Sequence, residues 1–351
     1  KKRGIEVALF EQGPVPNPKA SSHDEHRMTR HCYGTLAGYG LLMPQAFRAY
    51  EELWSDLGAR HFRPTKFLYV TREQSDWPAA TARDLDRMGI PHRPLTPAEV
   101  SEIAPMLTTD AIVDAFEADG AGELFAARIT RDLADWLRRA GVEIHEHARV
   151  GAIDAETGRV ETGRGYHDAD LVVVAAGAWV LDLLPGQKGR LAPSRQTVLY
   201  LQPPQRLDGA WRRAPVILDG SGMRGTYVLP PAEGTRLKVG DHSFTRQGSG
   251  DDDRIATAAD IATVAAAARS SFADFDDYTI LEAKVCYYTV TADERFVVEP
   301  IGPAGWLMSA CSGHGFKLAP LIASGLADAI AGRRSAAGIP DWAAGRGGPD
   351  R

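Results

Sequence analysis

The sequence has few cysteines, no long apolar run and no excess of basic residues. Its 351 residues include three cysteines, which excludes a disulfide scaffold and favours a reducing compartment such as the cytoplasm. The longest apolar run, residues 171–181, is shorter than the roughly 18 residues of a membrane-spanning helix, and the apolar stretch at 7–10 is too short for a signal peptide. Lys and Arg total 40 against 46 Asp and Glu, so the net charge of −6 predicts no nucleic-acid partner. We therefore expect a cytoplasmic globular protein, long enough for two lobes, with no membrane partner.

The sequence also lacks a glycine-rich phosphate-binding turn ahead of its first strand. Residues 5–10 (IEVALF) indicate a buried strand that leads into Glu11, an acidic residue able to accept hydrogen bonds from a ribose. A Rossmann unit needs a strand and G-x-G-x-x-G roughly 20 residues before such a residue, and only ten residues precede Glu11. Two interpretations stay open: a different fold, or a chain that enters in the middle of the unit. A carboxylate at a solvated strand end would give the same local pattern.

The remaining pattern predicts an α/β fold with two regions that differ in their arrangement of strands and helices. Apolar periodicity and capping signals predict helices at 45–58, 79–88, 97–103, 126–140, 255–270 and 318–332. Residues 169–176 form a near-continuous apolar strand, which we expect to share one parallel sheet with residues 5–10. Between 194 and 291, short strands alternate with turns, which is typical of an antiparallel sheet in a second lobe.

A glycine-bearing loop at residues 312–317 (SGHGFK) follows a predicted strand and opens a helix. Free N–H groups at a helix start favour a negative group, and two glycines would let a flat ring system lie against the backbone. His314 and Lys317 add polar groups at the same place. A plain glycine turn with two surface side chains is the alternative.

Four segments in order resemble one enzyme family. They are 27–31 (RMTRH), 175–179 (AAGAW), 284–289 (KVCYYT) and 312–317 (SGHGFK). Together they are similar to the monomeric sarcosine oxidase family, FAD-dependent amine oxidases related to D-amino-acid oxidase. The resemblance runs from about residue 7 to 332, and it implies a version of the family that lacks the N-terminal strand and G-x-G-x-x-G.

The resemblance implies a two-lobe α/β architecture. A Rossmann-type FAD-binding domain would comprise residues 1–60, 128–193 and 292–340, and a mixed antiparallel substrate domain would comprise 61–127 and 194–291. Residues 341–351 would be a tail, which we expect to be disordered from 345.

The resemblance also implies roles for individual residues. The cofactor-binding set is Glu11, Ser21, Ser22, His23, Val150, Gly177, Trp179, Cys286, Gly313, Gly315 and Lys317. The substrate-binding set is Arg30, Lys317, Tyr288 and His314. The catalytic set is Lys238, Arg27, His242 and Tyr227. Within these sets, Lys238 would activate oxygen and Cys286 would bond covalently to FAD. No metal ion is expected.

Residue chemistry agrees with several of these roles and leaves alternatives open. Arg30 and Lys317 could grip a substrate carboxylate by charge-assisted hydrogen bonds, although either could be a solvated surface cation. Cys286 lies in an alternating strand that places it on the same face as Tyr288, where a buried cysteine is often a small packing residue. Basic neighbours would lower the pKa of this thiol. Cys311 is a second candidate thiol.

The predicted reaction is oxidation of the C–N bond of a small secondary or N-methylated amino acid, with FAD as cofactor and O₂ as acceptor. The imine product would hydrolyse, and O₂ would become hydrogen peroxide. Another amino or imino acid, a different electron acceptor, and a non-catalytic remnant remain alternatives. The sequence does not fix the oligomeric state.

Overall fold

The computed structural model describes residues 1–222 and 225–347. The strands in these ranges are β1 Ala8–Phe10, β2 Arg27–Thr29, β3 Phe62–Thr71, β4 His92–Pro94, β5 Asp114–Leu124, β6 Glu143–His145, β7 Val150–Asp154, β8 Arg159–Thr162, β9 Gly165–Asp168, β10 Val172–Val174, β11 Ala192–Gln202, β12 Val216–Asp219, β13 Thr226–Leu229, β14 Leu237–Asp241, β15 Thr279–Val290, β16 Val297–Gly302 and β17 Gly305–Ser309. The α-helices are α1 Ala37–Leu57, α2 Trp77–Met88, α3 Pro97–Ile103, α4 Ala126–Arg139, α5 Val180–Leu183, α6 Asp208–Arg213, α7 Ala258–Ser271, α8 Ala319–Ile330 and α9 Ile339–Ala343.

A nine-stranded mixed sheet dominates the fold. Its strand order is β15-β11-β14-β13-β12-β3-β5-β2, and β4 also pairs with β5. The β12–β3 pair is parallel, whereas β11, β14, β15 and β13 pair in antiparallel fashion. The predicted mixed α/β class is therefore confirmed.

Because side chains alternate along each strand, the two faces of the large sheet pack against different residues. Leu199, Val228 and Val239 project into one core with residues of α6 and α7. Successive side chains of a strand point to opposite faces, so Tyr200, Tyr227 and Lys238 project to the other face. The polar residues discussed below lie on that second face.

Two short strands predicted to be neighbours lie in different sheets. β1 pairs in parallel with β6 in a two-stranded sheet, and β10 pairs in parallel with β17 in the sheet β10-β17-β16. The prediction that both strands share one parallel sheet is therefore wrong. An apolar run shows that a strand is buried, but its hydrogen-bonding neighbours are set by distant segments.

The helices follow the predicted pattern with shifted ends. α3 has the expected capping box, in which the Thr96 side chain accepts from the Glu99 N–H and Glu99 accepts from the Thr96 N–H. α1 begins at Ala37, eight residues before the predicted start at 45, and it includes Pro44. Gly58 ends α1 in the left-handed conformation, at φ 69°.

The segment after residue 340 is packed as far as the structure describes it. Trp342 and Ala343 of α9 are buried, and Arg295 Nη1 donates to the Ala344 carbonyl at 2.6 Å. The carbonyl of Gly345 also approaches Gly38 so closely that a Cβ there would lie 1.8 Å from it. Residues 345–347 thus differ from the expected disordered tail, and 348–351 lie outside the described residues. Within the described ranges, no helix has both the length and the hydropathy that crossing a membrane requires.

Candidate active site

A buried ion network joins the segment after β1 to the large sheet. Lys238 Nζ on β14 donates to Asp24 Oδ2 at 2.7 Å and to the His26 carbonyl at 2.7 Å. Arg27 Nη1 and the Tyr200 hydroxyl also donate to the Asp24 carboxylate. Asp24 is 3% exposed and Lys238 is fully buried. One carboxylate therefore holds two cations and a phenol in place.

The pKa values in this network move as burial and pairing require. Burial lowers the pKa of Lys238 to about 8, and Asp24 opposes that shift. Burial disfavours ionisation of Asp24, but Arg27 and Lys238 outweigh it and hold the Asp24 pKa well below its usual range. Asp24 is thus a carboxylate at neutral pH. The Lys238 ammonium loses its proton at a pH slightly above neutral.

Tyr227, Tyr288 and Cys286 form the wall beside Arg27. The hydroxyls of Tyr227 and Tyr288 are hydrogen-bonded, and both rings lie within electrostatic range of the Arg27 guanidinium. Cys286 and Tyr288 belong to one cluster with Val290, whereas Val285 and Tyr287 belong to another. The predicted shared face of Cys286 and Tyr288 is confirmed.

The expected activation of Cys286 is only partly present. Burial raises the pKa of its thiol, and Arg27 and Lys238 oppose that rise without cancelling it. Arg27 and Lys238 thus act in the predicted direction, but the net pKa is raised because desolvation of the buried thiolate outweighs their attraction. Cys311 lies in the same cluster as Cys286, and both are free thiols.

Arg30 and Lys317 meet at the ring of Tyr33. The Arg30 guanidinium lies 5.2 Å and the Lys317 ammonium 5.3 Å from the ring centroid, and Arg30 also lies over Phe67 and Trp77. Arg30 Nε and Nη1 are buried with no hydrogen-bond partner in residues 1–222 and 225–347.

The charges of Arg30 and Lys317 are mutually unfavourable. Burial lowers the pKa of Arg30. Burial and the nearby Arg30 hold the pKa of Lys317 well below its usual range. A bound anion would relieve both effects, because it would offset desolvation and repulsion together.

His314 is a buried neutral residue behind this pair. Its Nε2 lies 3.0 Å from the Glu294 carbonyl, which can only accept, so Nε2 carries the proton. Nδ1 then accepts from the Tyr33 hydroxyl at 3.3 Å. Burial lowers the pKa of His314 to about 3, and the ring stacks on Phe296 at 4.5 Å. His314 therefore orients Tyr33, on whose ring the two cations lie.

His242 lies next to Tyr227 and within electrostatic range of Arg30. The centroids of the two rings are 5.9 Å apart. The Tyr227 ring packs on Gly240, where a Cβ would lie 2.5 Å from the Tyr227 ring. Burial, followed by Arg30, lowers the pKa of His242 to about 4. Lys238 lies on the side of β14 that faces Tyr227, whereas His242 follows the end of β14 at Asp241 and contacts the Tyr227 ring from there.

The loop after β17 is strained and has unpartnered hydroxyls. Ala310, Ser312 and Gly313 all have positive φ, at 59°, 42° and 74°. The buried hydroxyls of Ser312 and Thr289 have no partner among the described residues, and the Ser312 N–H donates to the Thr289 carbonyl at 3.0 Å. Such strain and unpaired groups are typical of a ligand site.

The glycines of this loop allow close packing of the chain's own side chains. A Cβ on Gly313 would lie 3.0 Å from the Tyr288 ring, and one on Gly315 would lie 2.8 Å from Cys311 Cβ. A larger residue at either position would therefore have to displace Tyr288 or Cys311.

The cofactor-binding residues predicted between 11 and 23 lie in the turn and loop after β1. Glu11 Oε1 accepts from the Gly13 N–H at 2.9 Å and from Asn17 Nδ2 at 2.8 Å. Ser21 donates its hydroxyl to the Tyr287 carbonyl, and its own carbonyl accepts from Arg27 Nη2 at 2.5 Å. Ser22 follows in the same loop and is partly buried. His23 accepts from Lys284 Nζ through its carbonyl at 2.8 Å.

Val150, Gly177 and Trp179 lie apart from the ion network. Val150 begins β7 and is partly buried. Gly177 has φ 53°, and no atom lies within 4 Å of the place where its Cβ would be. The Trp179 indole N–H donates to Asp251 at 2.7 Å, and the ring packs on Gly250.

Several residues of this site were missed by the sequence reasoning. Asp24 and Tyr33 lie in the polar run 23–33, but nothing local distinguishes them from their neighbours. Tyr200 lies in a predicted strand. Glu123 is a buried neighbour outside the site, where its carboxylate accepts from Arg63 Nη1 at 3.0 Å.

Comparison with known proteins identifies the family. Residues 1–329 match the family described as FAD dependent oxidoreductase, DAO. The chain belongs to this family. The match confirms the predicted flavoprotein class and FAD as its cofactor.

Relatives of this FAD-dependent oxidoreductase include curated enzymes and solved structures. N-methyl-L-tryptophan oxidase of Yersinia pestis (strain Pestoides F) is 25% identical over 332 residues, which cover 91% of this chain and 86% of the relative. L-proline dehydrogenase from P. horikoshii superposes with TM-score 0.80 at 19% identity, covering 98% of this chain and 91% of that one. Glycine oxidase from Geobacillus kaustophilus gives TM-score 0.76 at 21% identity, covering 95% and 90%. The structural likeness concerns the fold.

The residues present fit the cofactor of this family. Ser312, Thr289 and Ser309 offer unpartnered buried hydroxyls around one strained loop. Gly177 leaves open space above a backbone of positive φ. These features suit a large group with many hydrogen-bonding atoms.

Proposed function

We propose that this chain oxidises the C–N bond of a small secondary or N-methylated amino acid, with O₂ as electron acceptor. The amine would lose two electrons and two protons to give an imine, which water hydrolyses, and O₂ would be reduced to hydrogen peroxide. The observation that carries the proposal is the meeting of Arg30 and Lys317 at Tyr33, with Arg30 nitrogens unpartnered among the described residues.

The two cations would bind the substrate carboxylate. A carboxylate between Arg30 and Lys317 would accept charge-assisted hydrogen bonds and neutralise a pair that is otherwise repulsive. Tyr33 provides the apolar surface under both cations, and His314 fixes its hydroxyl. This arrangement would fix one end of the substrate, while Tyr227 and Tyr288 would line the space beside it.

The role proposed for Lys238 is electrostatic. A positive charge close to the reacting oxygen stabilises the negative charge that develops as O₂ is reduced. Lys238 is fully buried and is held at 2.7 Å by Asp24, so its orientation is fixed before oxygen arrives. Arg27, bound to the same carboxylate, adds a second cation.

The cofactor would lie along the remaining predicted residues. We propose that the nucleotide portion contacts Glu11, Val150, Gly177 and Trp179, and that the loop with Ser21 and Ser22 contacts both the nucleotide and the flavin. The ring system would contact His23, Cys286, Gly313, Gly315 and Lys317. When bound, FAD supplies the two-electron redox chemistry of the reaction. A covalent link through Cys286 is part of the proposal.

We also propose the division into a FAD-binding domain (1–60, 128–193 and 292–340) and a substrate domain (61–127 and 194–291). The large sheet takes β3–β5 and β11–β15 from the second group, which supports the division. β2, from the first group, also joins this sheet and links the two units.

The proposed function can be tested by anaerobic titration. The chain purified with FAD would be mixed with N-methyl amino acids, and bleaching of flavin absorbance would report oxidation of the amine. Air would then be admitted and hydrogen peroxide assayed. Bleaching by N-methyl amino acids with peroxide formation is the expected result. Bleaching without peroxide would replace O₂ by another acceptor, and a response only to primary or cyclic amino acids would replace the substrate class. A chain that binds FAD but responds to none of these amines would refute the proposal.

A further inference from the structure

Asp24, the partner of Lys238 in the buried ion network, has so far been described only as the group that contacts Lys238. It is 3% exposed, and its carboxylate accepts from Lys238, Arg27 and Tyr200. Its Oδ1 also accepts from the Glu25 N–H at 2.8 Å, and its carbonyl accepts from the Ala127 N–H at 2.8 Å. The backbone is thus tied to the start of α4, while the side chain points into the large sheet.

Lys238 depends on this one carboxylate for compensation of its charge. The other acceptor of its ammonium is the His26 carbonyl, which is neutral. Arg27 repels Lys238, and burial removes the stabilisation by water. Other ionisable groups within electrostatic range of Lys238 include His26, Cys286 and Glu123. Lys284 also acts on Asp24.

Neither His26 nor Glu123 replaces Asp24 in this role. Burial lowers the pKa of His26 to about 3, so it is neutral near pH 7. Glu123 bonds to Arg63, and no hydrogen bond between Glu123 and Lys238 is found in residues 1–222 and 225–347. Asp24 is therefore the carboxylate that both bonds to the Lys238 ammonium and stabilises its positive charge.

We infer that Asp24 is a positioning residue for the oxygen half-reaction: it holds the Lys238 ammonium in one orientation and keeps it protonated at neutral pH. This inference rests on the proposed role of Lys238 in oxygen reduction. It does not require a particular amine substrate, because the contact lies within the protein itself.

The test measures the Lys238 ammonium directly. Lysine side-chain nitrogens would be labelled with ¹⁵N, and the Lys238 signal would be assigned by its loss in Lys238→Met. We expect Asp24→Asn to lower the titration midpoint of Lys238 by more than one pH unit. Glu123→Gln is the matched control, because it removes a buried carboxylate near Lys238 that makes no bond to it. In Glu123→Gln, the titration midpoint of Lys238 should shift by less than a third of its shift in Asp24→Asn.

The same variants would be followed by stopped flow. Reoxidation of the reduced holoenzyme by O₂ at pH 7.5 should slow at least tenfold in Asp24→Asn and less than twofold in Glu123→Gln. In wild type, reoxidation should fall as pH rises through the Lys238 midpoint, and this fall should move to lower pH in Asp24→Asn. An unchanged Lys238 midpoint in Asp24→Asn would overturn the inference.

Two further measurements keep the outcomes distinct. If Lys238→Met reoxidises like wild type, the proposed role of Lys238 fails, while the NMR midpoint still decides whether Asp24 keeps Lys238 charged. If Asp24→Asn alone does not fold, the double variant Asp24→Asn/Lys238→Met should fold, because no unpaired ammonium is left. A double variant that also fails to fold would show that Asp24 acts through Arg27 or Tyr200 instead, and would overturn the inference.

Discussion

Arg30 and Lys317 lie against one ring, that of Tyr33, at 5.2 and 5.3 Å from its centroid. Arg30 comes from the segment after β2, and Lys317 comes from the turn before α8. We propose that these two cations form a receptor for an anion, because a bound negative group would relieve their mutual repulsion.

Removal of either cation should act on the carboxylate of the substrate. We expect Arg30→Ala or Lys317→Ala to raise KM for an N-methyl amino acid by the equivalent of about 2–5 kcal/mol, the usual effect of truncating one member of a buried charge pair. An uncharged amine of similar shape should show a much smaller change. Steady-state kinetics with both compounds provides the measurement. Equal losses would show that neither residue binds the carboxylate.

Removal of the Lys238 charge should separate the two half-reactions. We expect Lys238→Met to slow reoxidation by O₂ at least 100-fold, because a preorganised charge stabilises the developing anion. Anaerobic reduction by the amine should slow less than fivefold. Stopped-flow absorbance measures both rates. A parallel loss in the two half-reactions would assign Lys238 a general structural role.

Substitution of the two neighbouring thiols should locate any covalent flavin link. Cys286 and Cys311 share one cluster, so either could reach the same ligand. We expect acid precipitation to release flavin from Cys286→Ser and to leave it on Cys311→Ser. The reverse pattern would move the link to Cys311. Flavin released from the unsubstituted holoenzyme would leave Cys286 as a packing residue, consistent with the burial that raises its pKa.

Glu123 should make stability depend on pH near neutrality. Burial raises its pKa to about 7 from the ordinary 4.5, although Arg63 opposes the shift. Its stabilising contribution is therefore present below pH 4.5 and is lost as pH rises through 7. Relative to Glu123→Gln, wild type should lose about 3 kcal/mol of unfolding free energy between pH 4.5 and 8. Chemical denaturation at several pH values checks this, and parallel curves for the two proteins would contradict it.

Local sequence was sufficient to predict a structural feature wherever one segment contains all the residues that form it. The capping box of α3 needs only Thr96 and Glu99, and strand alternation alone places Cys286 and Tyr288 on one face. The order of four motifs indicated a sarcosine oxidase-like flavoenzyme, and the match over residues 1–329 shows the wider FAD-dependent oxidoreductase family. Sequence could not choose among the polar residues of 23–33, because each has the same local appearance.

The tertiary structure decided which segments come into contact and how the pKa values of their side chains change. β1 and β10 have similar apolar patterns, yet each pairs with a different strand, because pairing depends on partners far away in the chain. Asp24 reaches Lys238 from a segment 214 residues away in sequence. Burial then changes what each side chain can do: it raises the pKa of the Cys286 thiol, against the expectation from its basic neighbours, and lowers that of Lys238. The sequence by itself determined which ionisable residue types are available, whereas the fold decided their charge, because desolvation and partners act through three-dimensional distance.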